Sequence, residues 1–457
     1  MQSRRDQVQA QAFVQSRLSS ALVGADPDAP DHPHRSVMTG TIVGILLTAL
    51  IATGFGVYGF MRPGGSDKWQ KPGVLVLEKD TGSRYIYAGG RLHPVLNTAS
   101  VRLLYGRTPE VVGVSSKSLG DTPRGAAIGI VGAPDSLPAD GAAAEQIWTM
   151  CAPVVAGRGG KLVTATTLTV TMGGNPATVV LGTDQAGVVG AGREQFLLWH
   201  GRRMRITESW ISRVLGADPA VVPVRTNWLN TVPAGPDLLA PDPGDRGADG
   251  PTVDGQPGRS GQLFVSPDGT RHYMLRSNGI SALTPFEYAL AAADPETTEL
   301  YDGGRVAPAT LSLAALAELR TVPWPAREGD LPDTTPAVVP SLPDGTAWCT
   351  RQPMSGGPVE IVAEPVAVPA QAATAGLGER RTDRNADAIT VGAGLGGFYA
   401  AGHFAQGGGT EHYLITDAGV KYPILSEDDA GKLGYALPAS PLPQELLDLI
   451  PDGPTLR

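Results

Sequence analysis

Cysteine is nearly absent from this chain: among 457 residues there are two, Cys151 and Cys349. No G-x-x-x-x-G-K-[ST] occurs, and the nearest segment, "GDTPRGAA" from Gly120, lacks the lysine that would reach a phosphate. The sequence therefore offers no recognisable ATP site. It also lacks a G-x-S-x-G nucleophile elbow and an H-E-x-x-H zinc helix. Of the seven histidines, His32 and His34 stand together in "DHPHRS", but two ligands in a Pro-containing linker are too few for a metal site. His403 and His412 have no partner nearby in sequence, and His93, His200 and His272 belong to hairpin-like segments described below. No catalytic, cofactor-binding or metal-ligating group is expected. Lysine is scarce as well, seven against 29 arginines, which with abundant Ala, Gly and Pro points to a GC-rich genome. The net charge of -9 falls almost entirely after residue 61, and an acidic outer region argues against nucleic acid as a partner.

What is present is 42% apolar residues with 59 Gly and 40 Pro, the composition of a loop-rich globular protein. One run stands apart. "SVMTGTIVGILLTALIATGFGVYGFM", Ser36 to Met61, carries no charge and is long enough, at ~1.5 Å per helical residue, to cross a ~30 Å hydrocarbon layer. It is too long for the apolar stretch of a cleaved signal peptide and has a long segment ahead of it, so an uncleaved anchor is expected. Within it "GTIVG" places Gly40 and Gly44 in a G-x-x-x-G that permits close helix packing. Ahead of it, "RRDQVQAQAFVQSRLSSAL" sets Val14, Leu18 and Leu22 on one helical stripe, with Arg4, Arg5 and Arg17 nearby, as a membrane or partner contact.

Flanking charges do not settle the anchor's orientation, but the cysteines bear on it. Each follows a Trp, in "IWTMCAP" and "TAWCTR". Two buried free thiols are one reading; an isolated even pair beyond an anchor is better read as one disulfide in an oxidising compartment. That puts the large domain outside and the N-terminus in the cytoplasm.

Four segments share the pattern G-x-x-h-x-h, with h mostly apolar. They are Gly90 with His93 and Val95, Gly201 with Met204 and Ile206, Gly269 with His272 and Met274, and Gly419 with Tyr422 and Ile424. Each reads as a hairpin turn into a strand. In three of them a capped helix-like run follows and stops on glycine: "NTASVRLLYG", "TESWISRVLG" and "LSEDDAGKLG". From Gly106, Gly216 and Gly434 the same interval then leads to the glycine of a P-x-G, at Gly125, Gly235 and Gly453. The third copy is expanded, and "VPWP" from Val322 stands where P-x-G is expected. Such a unit is too small to bury a core alone and must pack on something. "AITVGAGLGGFYAAG" matches G-x-G-x-x-G at Gly392, Gly394 and Gly397, but no acidic-ended strand follows, and a glycine-rich loop between core strands is expected.

These residues resemble the EccB membrane component of actinobacterial type VII (ESX) secretion systems over almost the whole chain. The resemblance rests on "QVQAQAFVQSRLSSALVGADP", the single anchor, "PRGAAIGIVGAPDSLP" (Pro123 to Pro138), the Trp-associated cysteines, "VGAGLGG" and the terminal "PLPQELLDLIPDGPTL". It implies an inner-membrane subunit assembled with a motor ATPase and other membrane subunits, as a homo-oligomer, with a periplasmic core and four repeats similar to phage-lysin cell-wall-binding subunits. It also brings an ATPase activity ascribed to the family. Because no nucleotide motif is visible, a structural subunit is the expected function, an ATP hydrolase the alternative, and a peptidoglycan-binding anchor a further one.

The expected fold class is α+β: a single-pass anchor followed by an elongated extracytoplasmic domain with a mixed core and four hairpin-helix repeats. The expected divisions are a cytoplasmic segment 1–35, the anchor 36–61, a connection with the first core strand 62–82, and the first repeat at 83–125. An initial core segment follows at 126–194, then the second repeat at 195–236, a Pro/Gly-rich linker at 237–260 and the third repeat at 261–325. A further core segment at 326–410 and the fourth repeat with the tail at 411–457 complete the chain.

Overall fold

A computed structural model describes residues 4–24, 33–61, 67–106, 108–156, 161–173, 178–216, 221–301, 304–325, 331–366, 380, 382–403 and 407–457. By contacts the chain divides into two compact units, Met1–His93 with Glu110–Gly125, and Pro94–Pro109 with Ala126–Arg457. The first holds the helices Arg4–Gly24 and Pro33–Met61 and one four-stranded sheet. The apolar helix begins three residues before the uncharged run, and its 22-residue span Val37–Tyr58 has no residue buried inside the protein.

Four sheets share one strand order. In each, a first strand pairs antiparallel with the second, the second with the third, and a later fourth strand returns parallel to the first. In the first sheet these are Val74–Glu78, Arg84–Ala88, Arg91–Pro94 and Glu110–Val114. The second uses Gln185–Ala191, Glu194–Trp199, Arg202–Ile206 and Val222–Pro223. The third uses Leu263–Val265, His272–Arg276, Gly279–Leu283 and Ala309–Thr310, and the fourth Gly397–His403, Gly407–Ile415, Lys421–Ile424 and Ser440–Pro443. A helix stands between the third and fourth strands every time: Thr98–Tyr105, Ser209–Val214, Pro285–Ala293 and Glu427–Leu433. In three of them the start is capped by side chains, Asn97 accepting from the Ser100 N–H, Ser426 from Asp429, and Thr284 forming a capping box with Glu287.

The strands Val74–Glu78, Gln185–Ala191 and Gly397–His403 were expected in the connection or the core. Each instead lies inside its own unit's sheet, paired with the strand that follows it; in the second sheet Gln185–Ala191 also pairs, in parallel, with a fifth strand, Ala337–Val338. The reason is that a lone hairpin leaves both edges open; the preceding strand and the parallel return complete a sheet with a buried face. The third unit carries a second correction. Gly269 turns the first hairpin of its sheet, while the turn equivalent to Gly90, Gly201 and Gly419 is Ser277–Asn278, between His272–Arg276 and Gly279–Leu283. The return segment is correspondingly Arg320–Val322, with the Val322 N–H donating to the Ile280 carbonyl at 2.7 Å, not the "VPWP" that begins there. In the other sheets the same bond runs from Gly125 to Leu92, Gly235 to Arg203 and Gly453 to Lys421. The Pro/Gly-rich stretch before this unit also has structure. Asp249–Val253 and Gln256–Arg259 form a hairpin whose Asp254–Gly255 turn has both φ positive, the requirement of a type I′ turn.

The core is a mixed six-stranded sheet in the order Ala388–Val391, Thr167–Thr171, Ile147–Ala152, Thr346–Pro353, Glu360–Pro365, Val179–Val180. Alternation along the two central strands sends Trp148, Met150 and Trp348 into the largest apolar cluster, and Cys151 and Cys349 to the opposite face with Ala347 and Val362. The helices of the repeated units pack in pairs. Ile211 and Leu215 of the second unit meet Phe286 and Leu290 of the third, and Arg102 donates to the Leu433 carbonyl of the fourth at 2.7 Å.

Candidate functional site

Val14, Leu18 and Leu22 all lie exposed on the helix Arg4–Gly24, on which Arg4, Arg5 and Arg17 are exposed too. The sequence stripe missed Val8 and Phe13, which are also exposed; the Arg17 guanidinium stands 5.1 Å from the Phe13 ring. Gly40 and Gly44 are one turn apart on the apolar helix, and a Cβ at either would meet nothing within 4 Å. That leaves a groove into which another helix can settle. His32 lies outside the described residues.

Cys151 and Cys349 face each other directly across neighbouring antiparallel strands and are bonded, closing a loop of 198 residues. Glu364 lies beside them, so the three ligand atoms fall within 4.8 Å of one another. The group does not suit a metal: the sulfurs are joined, and the carboxylate accepts from Arg351 at 2.8 Å and Thr178 at 2.6 Å. The glycine-rich segment is no dinucleotide site either. It links the core strand Ala388–Val391 to the fourth sheet, so its last glycine opens a strand where a pyrophosphate would need a helix N-terminus. This corrects its expected place between two core strands.

The segment Ala126–Pro138 acts as a strap. Asp135 accepts from the Thr98 N–H and hydroxyl, both at 2.8 Å, at the start of the first unit's helix. Asn97 donates to the Ile130 carbonyl, and the Tyr435 hydroxyl to that of Pro138. Gly129, at φ 139°, is approached so closely by Leu96 and Ser100, 3.0 and 3.1 Å from where a Cβ would stand, that a side chain there would be strained and would require them to shift. Ile130, Ala133 and Leu137 pack on the cluster of the fourth unit, so the strap clamps the first helix to that unit.

A cleft of about 1460 Å³ opens where the second sheet with the segment 230–244 that follows it, Arg276, the pair Trp324 and Pro325, the core loop at Gly357–Val359 and the strand Ser440–Pro443 meet. Arg202, Arg203, Arg276, Trp324, Gln352 and Glu445 give it polar walls. Burial pulls Arg203 down, opposed by the charges of Glu445 and Glu194, and its guanidinium donates to the Leu229 carbonyl at 3.0 Å. Arg276 stacks on Trp324. Proline at 441 and 443 removes main-chain donors from one wall. Among the described residues lining the cleft there is no Ser, Thr, Cys or Lys; its ionisable groups besides the arginines are His200, Asp237, Asp242 and Glu445. No local pattern announces the cleft, because its walls come from segments far apart in the chain.

Residues 1–457 match the protein family described as "Type VII secretion system ESX-1, transport TM domain B". The chain is 28% identical over 481 residues to a Mycobacterium tuberculosis protein named "ESX-5 secretion system ATPase EccB5", covering 99% of this chain and 92% of that one. It is likewise 28% identical to "ESX-3 secretion system ATPase EccB3" of the same species, over 99% and 88% of the two chains. In fold it is similar to a chain of "an intact ESX-5 inner membrane complex", with a TM-score of 0.65 at 25% identity over 100% of this chain and 94% of that one. An "EccB3 dimer from the ESX-3 core complex" shares the fold at a TM-score of 0.63 and 23% identity, over 83% and 97% of the chains.

Proposed function

We propose a structural role for this chain, which belongs to the EccB family of type VII secretion membrane components. It is a subunit of the secretion membrane complex, tying a cytosolic motor to an extracytoplasmic platform during protein export. The observation that carries this reading is the whole-chain likeness, in sequence and fold, to a chain of an ESX-5 inner membrane complex. In this reading Val37–Tyr58 is a single-pass anchor in the inner membrane, residues 1–35 are cytoplasmic and 62–457 periplasmic. The Cys151–Cys349 bond supports that orientation, since an oxidising compartment preserves it. Gly40 and Gly44 support packing of the anchor on another helix, and Arg4, Arg5, Val14, Arg17, Leu18 and Leu22 supply contacts for the motor or the inner leaflet. The core and the four sheets form an oligomeric platform, with peptidoglycan as a further contact.

The relatives carry "ATPase" in their names. What favours a scaffold over an enzyme here is the sequence, which has no lysine-bearing glycine loop to cradle phosphates. Affinity purification of the full chain from detergent-solubilised membranes tests the reading: motor and membrane subunits are expected to come with it. An isolated chain whose ATP turnover disappears on one substitution of its own would replace the scaffold with an enzyme. Protease added outside spheroplasts is expected to digest 62–457 and spare an N-terminal tag.

A further inference from the structure

We propose that the strand Glu110–Val114 is where a second copy of this chain adds to the first sheet, edge to edge and antiparallel. Each of the four sheets has two edges. On one, the return segment closes the third strand in every case, through the bridges Leu92 to Arg124, Arg203 to Ala234, Ile280 to Thr321 and Lys421 to Asp452. The fourth strand forms the other edge, and three sheets guard it. Val222–Pro223 is two residues long and ends in proline, Ala309–Thr310 is two residues long, and Ser440–Pro443 carries Pro441 and Pro443, which have no N–H to offer. Glu110–Val114 has five residues and no proline, and among the described residues it pairs on one side only, with Val74–Glu78. Glu110, Val111 and Gly113 are exposed, Val111 by 54%. A long, unguarded edge of this kind templates strand addition.

The strand complements itself. Antiparallel pairing on a two-fold axis through Val112 sets Val111 against Gly113 of the second copy, and Glu110 against its Val114. A branched side chain thus meets a residue that has none, crossed only by the aliphatic stem of Lys79. The two Glu110 carboxylates fall at opposite ends, so no like charges face each other. Such a contact is isologous and closes on itself. Five paired residues bury on the order of a few hundred Å², below the ~1,200 Å² of a stable soluble interface. A second tether is needed, and the apolar helix of the same compact unit provides one by confining both copies to a membrane, which raises their effective concentration. For that tether the pairing rests on the membrane-subunit reading above.

The test uses the full-length chain in native membranes with Val112→Cys, treated with a mild oxidant and run on a non-reducing gel. Because Cys151 and Cys349 are bonded to each other, the new thiol has its counterpart in a second copy as its partner. A band at twice the monomer mass is expected, absent from a Val131→Cys control that is 61% exposed elsewhere, and lost when Val111→Lys is added. Val112→Cys cross-linking no better than the control, with the same result for a chain carrying Val111→Cys and Gly113→Cys, overturns the pairing. Co-purification of the other subunits is read from the same membranes. Its loss counts against the proposed role, and loss of the cross-link counts against edge pairing alone.

Discussion

The ring of Tyr422 lies so close to Gly453 that a Cβ on the glycine would stand 2.5 Å from it. The same relation holds between His93 and Gly125, and less tightly between Met204 and Gly235, where the approach is 3.2 Å. A large side chain on the third strand thus requires glycine in the return segment. Gly453→Ala and Gly125→Ala should each lower stability by about 1–3 kcal/mol through overpacking, and Gly235→Ala by less. Urea midpoints of the three variants check the order.

The third unit inverts the pair. Ser281 stands where the others have His93, Met204 and Tyr422, its hydroxyl donates to the Val322 carbonyl at 2.7 Å, and the return carries Val322 in place of glycine. Ser281→Met should therefore destabilise by about 1–3 kcal/mol. Adding Val322→Gly should recover some of that loss, with a coupling of roughly 1 kcal/mol in a double-mutant cycle. Strict additivity of the two substitutions would refute the packing relation.

The bond between Cys151 and Cys349 closes a loop of 198 residues, for which the chain-entropy account gives about 5 kcal/mol. Cys151→Ala, Cys349→Ala and the double variant should each lose about 2–5 kcal/mol, the three being alike because the same bond is removed each time. Denaturant unfolding measures the loss, and mass spectrometry of the unreduced protein should find the two cysteine peptides joined.

Asp268, in the first turn of the third sheet, is held down to about 2 from 3.8 by the Ser266 hydroxyl and then by the N–H and hydroxyl of Thr270. With the folded value depressed, the stabilisation is present above the unfolded value and drains away as pH falls from about 4 to about 2. Asp268→Ala should flatten the stability profile in that window and leave it parallel to the parent above about pH 5. NMR titration of the Asp268 carboxyl is the direct check.

Residues that speak to their immediate neighbours were legible in the sequence: the uncharged run of the anchor, the turn glycines Gly90, Gly201 and Gly419, the caps at Asn97 and Ser426, and the pairing of two lone cysteines. Turn chemistry and hydropathy act over a few residues, so local wording carries them. The third unit escaped its true register because Asn278 replaces the turn glycine and Ser281 the apolar residue, a change that makes sense only beside Val322, far along the chain. The strands that complete each sheet, the strap holding Asn97 to Ile130, and the cleft walled by Arg203, Arg276 and Pro441 were decided by the tertiary structure. Parallel pairing and cavities join segments far apart in the chain, as Arg102 reaching Leu433 does, and no local pattern encodes which distant surface will satisfy a carbonyl or bury a face.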